Sequence, residues 1–257
     1  MSVVIPVKDD DTELARCLRA LRGQSRPPDE VVVVDNGSTD ASAAVARAAG
    51  VRVVRCEAPG IPAASARGYD AATGDVLLRL DADCVPDERW VEAMVAAFAS
   101  RRDVAAFVGG ARFIDGPPAL RTPLAAAYLG AYGAVATATL GHLPLFGSNM
   151  GMRAGAWRGI RSTVHRDDPE LHDDLDLAFH LGGRGRIRLL RGPAMGISMR
   201  PFGSGRSFAR RVLRGFRTVV VHWPADFPPV RWTRLALLSA VRSRRTRRAA
   251  AAAPRRP

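Results

Sequence analysis

Two acidic residues separated by one alanine follow an apolar run in the segment LLRLDADCVP, residues 77–86. Carboxylates at positions i and i+2 of an extended segment leave the same side of the backbone, so Asp81 and Asp83 can bind one cation together. Asp oxygens prefer hard ions such as Mg²⁺ or Mn²⁺, which also bridge phosphate oxygens. Because such an ion would polarise a diphosphate as a leaving group, the pair predicts transfer from a nucleoside diphosphate donor.

A second acidic group occurs much later in the chain, in the segment ELHDDLDLAFHL at residues 170–181. Its apolar residues recur at helical spacing, which predicts a helix over residues 171–182. Asp173 and Asp174 lie in the first turn, where the helix macrodipole favours negative charge, and this explains one of them. A carboxylate held apart from the metal could remove the proton of an attacking hydroxyl. We therefore expect Asp173 or Asp174 to be a general base.

Alternating strand and helix signals in the first hundred residues predict βαβ units with a parallel sheet. Strands are expected at residues 2–7, 31–34, 51–55, 75–80 and 104–113, with helices at residues 11–22, 62–73 and 86–100. Continuous Val and Leu strands imply a sheet covered on both faces, and such sheets bind ligands beyond the carboxyl ends of their strands. The acidic turns at Asp9–Asp11, at Asp35 and at Asp81 with Asp83 should therefore meet along one rim.

Five segments come in the order and spacing of family 2 glycosyltransferases. They are SVVIPVKDD, VVVVDNGSTD, ATGDVLLRLDADCVPDERW, GSNMGMRAGAW and DDLDLAFHLGGRGRI. Any one segment is weak evidence, but five in order are strong, and the chain resembles that family over roughly residues 2–190. The resemblance implies the α/β GT-A fold of nucleotide-diphospho-sugar transferases, with a mostly parallel central sheet flanked by helices. It also implies inverting sugar transfer that depends on Mn²⁺ or Mg²⁺.

The resemblance further implies which residues bind the donor, a UDP-, GDP- or dTDP-sugar. These residues are Pro6, Val7, Asp9, Asp35, Arg67, Asp81 and Asp83. Asp35 would contact the nucleobase or ribose, Asp81 the ribose or metal, and Asp83 the metal and diphosphate. Relatives carry a guanidinium near the diphosphate, in an ARN segment that this chain lacks. Arg67 either takes the place of that guanidinium or is only a solvent-exposed charge on its helix.

The late acidic pair and one histidine complete the site that the resemblance implies. Relatives usually carry Glu-Asp where this chain has Asp173 and Asp174, and the second carboxylate is the general base, so Asp174 is expected to be the base. Some relatives draw a third metal ligand from about the position of His222, which would join Asp81 and Asp83. The alternative is that His222 is no ligand, as is usual for a lone histidine. The acceptor is expected to be a hydroxyl of a saccharide, a lipid-linked sugar or a small molecule.

The net charge of +13 is concentrated at the C-terminus. Residues 1–205 hold 24 basic and 24 acidic side chains, whereas residues 206–257 hold 14 arginines and one acidic residue, Asp226. We predict a GT-A domain over residues 1–205, with a nucleotide-binding half of about residues 1–100 and an acceptor half of about residues 101–205. A basic amphipathic helical extension over residues 206–248 and a disordered tail over residues 249–257 should follow.

The extension has three interpretations. Basic amphipathic helices with Trp and Phe suit an anionic membrane surface. Alternatively, the first helix packs on the catalytic domain with its arginines solvated or near the diphosphate. Nucleic acid binding is not expected, because the catalytic region is neutral and carries no recognition motif.

Residues 122–152 contain no Asp, Glu, Lys or Arg. A core helix that lines the acceptor pocket is the preferred interpretation of this stretch, and a membrane-facing surface is the alternative.

Other sequence features limit the expected cellular location and the class of the protein. Ser2 to Val7 enter a strand pattern at once, without the pattern of a secretory signal, which favours the cytoplasm, with peripheral binding to the inner face of the plasma membrane as a further expectation. Three cysteines without CxxC spacing argue against disulfides. A sugar-phosphate nucleotidyltransferase would need a glycine-rich basic loop where this chain has PVKDDDTE. A non-catalytic nucleotide-sugar-binding or membrane-adaptor protein is the other alternative, against which the intact Asp83 and Asp174 argue.

Overall fold

The computed structural model describes residues 1–202, 204–238 and 240 of the chain. The strands in these residues are β1 (Ser2–Val7), β2 (Glu30–Asp35), β3 (Arg52–Arg55), β4 (Val76–Arg79), β5 (Val104–Phe113), β6 (Met150–Arg153) and β7 (Arg186–Ile197). They form one sheet with the order β3-β2-β1-β4-β6-β5-β7. β6 runs antiparallel to both of its neighbours, and the other pairs are parallel. The predicted mostly parallel sheet is confirmed.

Helices connect and flank these strands. They are α1 (Asp11–Arg22), α2 (Ser42–Ala48), α3 (Ile61–Ala71), α4 (Trp90–Ser100), α5 (Pro118–Leu140), α6 (Ala154–Arg158), α7 (Asp173–Gly182) and α8 (Gly205–Val221). A short 3₁₀ turn, Arg200–Phe202, links β7 to α8, and a further helical run covers residues 228–238. The predicted domain boundary at residue 205 falls at the start of α8, but the division into domains stays a prediction. The predicted tail over residues 249–257 lies outside the described residues.

β1 lies between β2 and β4 in the sheet, and all six of its residues are buried. It pairs with β2 on one side and β4 on the other, so the carboxyl ends of three strands meet at one edge. α3 packs directly on these strands. A Cβ at Gly68 would lie 2.3 Å from the Cγ1 atom of Val4, so glycine is required for this close approach.

α4 begins later than the sequence predicts. The prediction placed its start at Pro86, whereas the helix begins at Trp90. Val85 exchanges both backbone hydrogen bonds with Gly196 at 2.8 Å, which keeps the chain extended up to the proline. The first helical turn can therefore form only after that bridge.

α5 does not have the environment that its composition suggested. The uncharged stretch predicted a core helix, but only three of the 23 residues of α5 are buried: Ala125, Ala136 and Leu140. That expectation is wrong, because the helix contacts the domain through one narrow side and exposes residues such as Leu120 and Val135. Among the described residues, α5 is the one helix long and apolar enough to cross a membrane by length and composition alone.

α8 packs on the rest of the domain through its polar side. Arg214 pairs with Glu170 at 2.8 Å, and Arg217 pairs with Asp168 at 2.9 Å. The hydroxyl of the buried Thr218 accepts a hydrogen bond from the backbone N–H of His172. The apolar side faces outward and exposes Phe208, Val212, Leu213 and Phe216. The interpretation in which this helix packs on the domain is therefore confirmed, and its apolar stripe remains uncovered by the described residues.

The helical run at residues 228–238 is anchored by a buried arginine. The guanidinium of Arg231 is fully buried and donates to the carbonyl oxygens of Leu140 and Phe179 at 2.8 and 2.9 Å. It also pairs with Asp226 at 2.7 Å. These bonds fix the C-terminal extension to the ends of α5 and α7, so the extension is part of the folded domain as far as it is described.

Candidate active site

The rim predicted at the carboxyl ends of the strands is present. Asp9 follows β1 with a positive φ of 51°, and its Oδ1 atom accepts hydrogen bonds from the backbone N–H and the hydroxyl of Thr39, at 2.7 and 3.0 Å. These bonds hold the pKa of Asp9 below its usual range. Asp35 ends β2 and accepts from the N–H of Ser38 at 2.9 Å. One carboxylate oxygen of each residue thus stabilises the turns of the rim.

Pro6 and Val7 reach the rim through their backbone. Their side chains are buried, and they pair with Val34 and Asp35 of β2. The carbonyl oxygen of Val7 accepts a hydrogen bond from the N–H of Asn36 at 2.9 Å. The donor-binding roles of these residues stay predictions.

Asp81 and Asp83 come together where β4 ends, as the sequence predicts. Asp81 accepts from the guanidinium of Arg79 at 2.8 Å and from the hydroxyl of Ser148 at 2.6 Å. Potential ligand atoms of Asp81, Asp83 and Cys84 all lie within 4.8 Å of one another. Burial and the negative charge of Asp81 raise the pKa of Asp83. The two neighbouring carboxylates therefore repel each other, and a cation bound between them would relieve that repulsion.

Arg79 connects the two acidic groups. Its guanidinium is 2% exposed and pairs with Asp81 at 2.8 Å and with Asp173 at 3.2 Å. Although burial alone would lower the pKa of Arg79, the two carboxylates raise it above its ordinary value. A Cβ at Gly147 would lie 1.7 Å from Nη1 of Arg79, so only glycine leaves room for the arginine. The start of α7 is thereby fixed beside the end of β4.

Asp173 and Asp174 have different environments. Asp173 is paired with Arg79, and burial raises its pKa while the guanidinium opposes that shift. Asp174 accepts from the N–H of Gly147 at 2.9 Å and from that of Leu175 at 2.8 Å. Each carboxylate oxygen can accept more than one hydrogen bond, so these contacts orient Asp174 and leave it able to accept a further one. The geometry thus distinguishes a carboxylate paired with an arginine, Asp173, from one held by backbone N–H groups, Asp174.

Arg200 is a further member of the site. It lies on the turn after β7, and its guanidinium binds both oxygens of Asp10, at 3.0 and 2.6 Å, and one oxygen of Asp83 at 2.8 Å. Sequence reasoning placed Asp10 on the rim within the turn Asp9–Asp11, but it missed Arg79 and Arg200. Arg79 gave a usable signal, because it is a charged residue directly after the apolar residues Val76 to Leu78 and before Leu80. Arg200 gave none, since it lies 190 residues from Asp10 in the chain.

Two predicted residues are not brought into this group. Arg67 is exposed on α3 and forms no ion pair with any residue that the structure describes. His222 ends α8, and its Nε2 atom lies 3.2 Å from Oδ1 of Asp176, in a separate group of potential metal ligands. This follows from the packing of α8 along α7, which directs His222 one turn beyond the acidic pair. The structure therefore does not assemble His222 with Asp81 and Asp83, and the role of His222 as a third ligand of their metal stays a prediction of the sequence alone.

The chain matches known proteins in sequence. Residues 2–165 match the model of glycosyl transferase family 2. Over 104 residues the chain is 35% identical to the glycosyltransferase AglE of Haloferax volcanii, which covers 37% of this chain and 34% of that protein. Over 122 residues it is 34% identical to the undecaprenyl-phosphate 4-deoxy-4-formamido-L-arabinose transferase of Pseudomonas fluorescens, covering 44% and 36%. The chain thus spans about a third of the length of these two relatives.

The fold also matches solved structures. Glucosyl-3-phosphoglycerate synthase of Mycobacterium tuberculosis in complex with UDP superimposes with a TM-score of 0.59 at 19% identity, covering 86% of this chain and 78% of that one. S. aureus TarS gives a TM-score of 0.60 at 17% identity, covering 86% and 39%. The sheet order and these likenesses define an α/β fold of the glycosyltransferase type. The chain belongs to glycosyl transferase family 2, and its predicted fold class and its classification as a transferase are confirmed.

Proposed function

We propose that this protein transfers a sugar from a nucleoside diphosphate donor to a hydroxyl acceptor with inversion at the anomeric carbon. The observation that carries the proposal is the guanidinium of Arg79, which joins Asp81 to Asp173 and so places an acidic cation site beside a candidate base. Glucosyl-3-phosphoglycerate synthase, which shares the fold, has been crystallised with Mn²⁺, UDP-glucose and phosphoglyceric acid, and this supports the same class of donor here.

Asp81 and Asp83 would hold the divalent cation, Mn²⁺ or Mg²⁺. Their carboxylate oxygens are the ligands that hard cations prefer, and burial together with the charge of Asp81 raises the pKa of Asp83 even though Arg200 pairs with it. A bound cation would neutralise the charge that develops on the departing diphosphate. Arg200 must release Asp83 for this, and its contact with Asp10 keeps it close to the rim.

Asp174 serves as the general base in this proposal. Two backbone N–H groups orient its carboxylate, and the neighbouring Arg79 is occupied by Asp173 and Asp81. Asp174 would accept the proton of the acceptor hydroxyl while that oxygen attacks the anomeric carbon. One displacement opposite the leaving group inverts the configuration without a covalent intermediate, through a transition state with oxocarbenium character as in glycoside hydrolysis.

The test uses the full chain with UDP-, GDP- and dTDP-sugars. Donors are first screened by thermal shift with and without Mn²⁺, because a bound ligand raises stability by mass action. Asp174→Asn should keep the donor-dependent shift and lose turnover by about 10²- to 10⁴-fold, the usual contribution of a general base. Asp83→Asn should lose the Mn²⁺-dependent shift. Full turnover in Asp174→Asn would contradict the assignment, and partner binding that is insensitive to both changes would favour the adaptor alternative.

We further propose that the protein binds the cytoplasmic face of an anionic membrane and acts on a lipid-linked acceptor. The outward side of α8 exposes Leu213 and Phe216, at 66% and 64%, and the following segment exposes Trp223 and Trp232. An apolar surface within an arginine-rich extension suits an interface of acyl chains and anionic headgroups. The Pseudomonas fluorescens relative is named for an undecaprenyl-phosphate substrate, which supports this class of acceptor.

Flotation with liposomes tests the membrane proposal. Recovery with anionic vesicles should fall in the double variant Leu213→Asp/Phe216→Asp, since two exposed apolar contacts are replaced by charges that anionic lipid repels. Leu189→Asp on β7 is the control, because Leu189 is also exposed, at 53%, but belongs to neither α8 nor the apolar helix α5. Equal recovery of the wild-type chain and the double variant, or of anionic and neutral vesicles, would refute the proposal.

A further inference from the structure

Three of the five histidines of the chain surround one aspartate outside the candidate active site. The Oδ1 atom of Asp176 lies 2.7 Å from Nδ1 of His165, 3.2 Å from Nε2 of His222 and 3.5 Å from Nε2 of His180. These four atoms all lie within 4.8 Å of one another. The residues come from three places, since His165 lies in the loop after α6, Asp176 and His180 share one face of α7, and His222 ends α8. Such convergence makes this a candidate ligand site.

Two of the ring nitrogens have no hydrogen-bond partner among the described residues. The Nε2 atoms of His180 and His222 are buried, and neither makes a hydrogen bond of normal geometry. The side chain of His222 is only 4% exposed. Buried polar atoms without partners are rare, because they lose hydration without compensation. An unpartnered nitrogen aimed into a cluster of other potential ligands indicates that something is bound there.

The other nitrogen of His222 shows which atom would be the ligand. Nδ1 lies 2.7 Å from the carbonyl oxygen of Thr218, which can only accept, so Nδ1 carries the proton. In the neutral ring, Nε2 then presents its lone pair to the centre of the cluster. A histidine that donates through one nitrogen to a backbone carbonyl and binds through the other is the usual arrangement at metal sites.

A hydrogen-bond network within the cluster does not account for these contacts. Nδ1 of His165 lies 2.7 Å from Oδ1 of Asp176, and Oδ2 of Asp176 accepts from the backbone N–H of His165 at 3.0 Å. In the neutral tautomer described above, the lone pair of Nε2 in His222 faces Oδ1 of Asp176 at 3.2 Å, and the two repel each other. A cation between them converts this repulsion into coordination.

We propose that His165, Asp176, His180 and His222 bind one Zn²⁺ ion, separately from the cation of Asp81 and Asp83. Three imidazole nitrogens and one carboxylate oxygen suit zinc, whereas Mg²⁺ and Mn²⁺ prefer oxygen ligands. Four protein ligands fill the tetrahedral coordination of zinc and leave no open position, so this zinc is structural. It connects the loop after α6 and the end of α8 to α7, the helix that begins with the candidate base. The zinc site stands independently of the proposed sugar transfer.

The test measures zinc in the full chain, purified without a polyhistidine tag. Elemental analysis should find about one zinc per chain. After the zinc is removed with a chelator, titration with Zn²⁺ in competition with a chromophoric zinc chelator should show that the protein binds one zinc again. His222→Gln and His165→Gln should each weaken zinc binding by more than about 100-fold, because even outer-shell partners cost up to about 100-fold. Cobalt substitution should give the visible spectrum of a tetrahedral site, which these variants lose.

Two control variants keep the result interpretable. His172→Gln removes a histidine that also joins α7 to α8, through a 2.9 Å contact of its Nε2 with the carbonyl oxygen of Arg211, but that lies outside the cluster. Asp83→Asn alters the other candidate cation site. Both should retain one zinc. The proposal is overturned if the wild-type chain binds no zinc, if zinc survives in both His222→Gln and His165→Gln, or if Asp83→Asn is the variant that loses it.

Discussion

Replacement of Arg79 by methionine tests the contact on which the candidate active site depends. The side chain of Arg79 is 3% exposed and that of Asp173 is 15% exposed, so the variant leaves a nearly buried carboxylate without its cation. Removing one partner of a buried ion pair costs about 3–5 kcal/mol. We expect about 3 kcal/mol, because Asp81 is one-third exposed and water can compensate it. This loss is a large part of a typical stability of about 5–15 kcal/mol.

The pH dependence of that loss identifies its cause. Burial already raises the pKa of Asp173 above its unfolded value, so its contribution to stability is present at low pH and lost as pH rises through the folded pKa. Without Arg79 the pKa rises further, and protonation relieves the carboxylate over a wider pH range. Urea unfolding at pH 8 should therefore show the full deficit relative to wild type, and unfolding at pH 5 should show a smaller deficit.

A second substitution separates charge from packing. Arg79→Met/Asp173→Asn removes both partners and should recover most of the stability at pH 8, since replacing both members of a buried pair is often neutral. Arg79→Lys keeps the charge and should be intermediate, because lysine cannot contact two carboxylates with a planar fork. A deficit that is equal at both pH values and unaffected by Asp173→Asn would show that Arg79 acts by packing alone, and the reasoning would be refuted.

Three further predictions concern residues that contact this site or the extension. Gly147→Ala should lower transferase activity and unfolding stability together, because its Cβ would meet Nη1 of Arg79 at 1.7 Å; Gly130→Ala, which meets nothing within 4 Å, is the control. Arg200→Gln should strengthen Mn²⁺ binding without nucleotide by up to about fivefold in calorimetry, because an exposed ion pair is worth at most about 1 kcal/mol; weaker binding would contradict this. Arg231→Met should cost about 1–3 kcal/mol or more in urea unfolding, because the carbonyl oxygens of Leu140 and Phe179 lose their buried donor, while Asp226 keeps its pair with Arg234; a loss below about 1 kcal/mol would show that the extension is not anchored there.

The strands of the nucleotide side could be predicted from the sequence because each is a continuous apolar run between turn residues. β1 matches its predicted bounds, and β5 does as well, since both are long and buried. β6 was not predicted, because four residues, MGMR, carry no alternation. β7 contains Gly192 and Pro193, which read as a turn, and the structure accommodates them in a shift of register against β5. That such residues belong to a strand can be seen only from the pairing of β7 with β5.

The sequence predicted those residues of the candidate site that lie close together in one segment of the chain. The two carboxylates after β4 and the two at the start of α7 were identified from their spacing, and the structure brings both pairs to one arginine. The partners that come from distant segments, such as Ser148 and Arg200, were not identified, since no local pattern links them to Asp81 or Asp83. The exposure of α5 was also missed, because an uncharged composition does not say which face is covered.

The guanidinium of Arg200 gives the idle rim its own counterion. Because Arg200 pairs with Asp10 and Asp83, these carboxylates are compensated between turnovers without a metal ion. A divalent cation that binds without nucleotide must displace the arginine from Asp83, and this reduces the net gain in free energy. A nucleoside diphosphate changes that balance, because its negative charges offer the displaced arginine a new partner. Metal and nucleotide should therefore arrive as a pair, and neither alone should saturate the site.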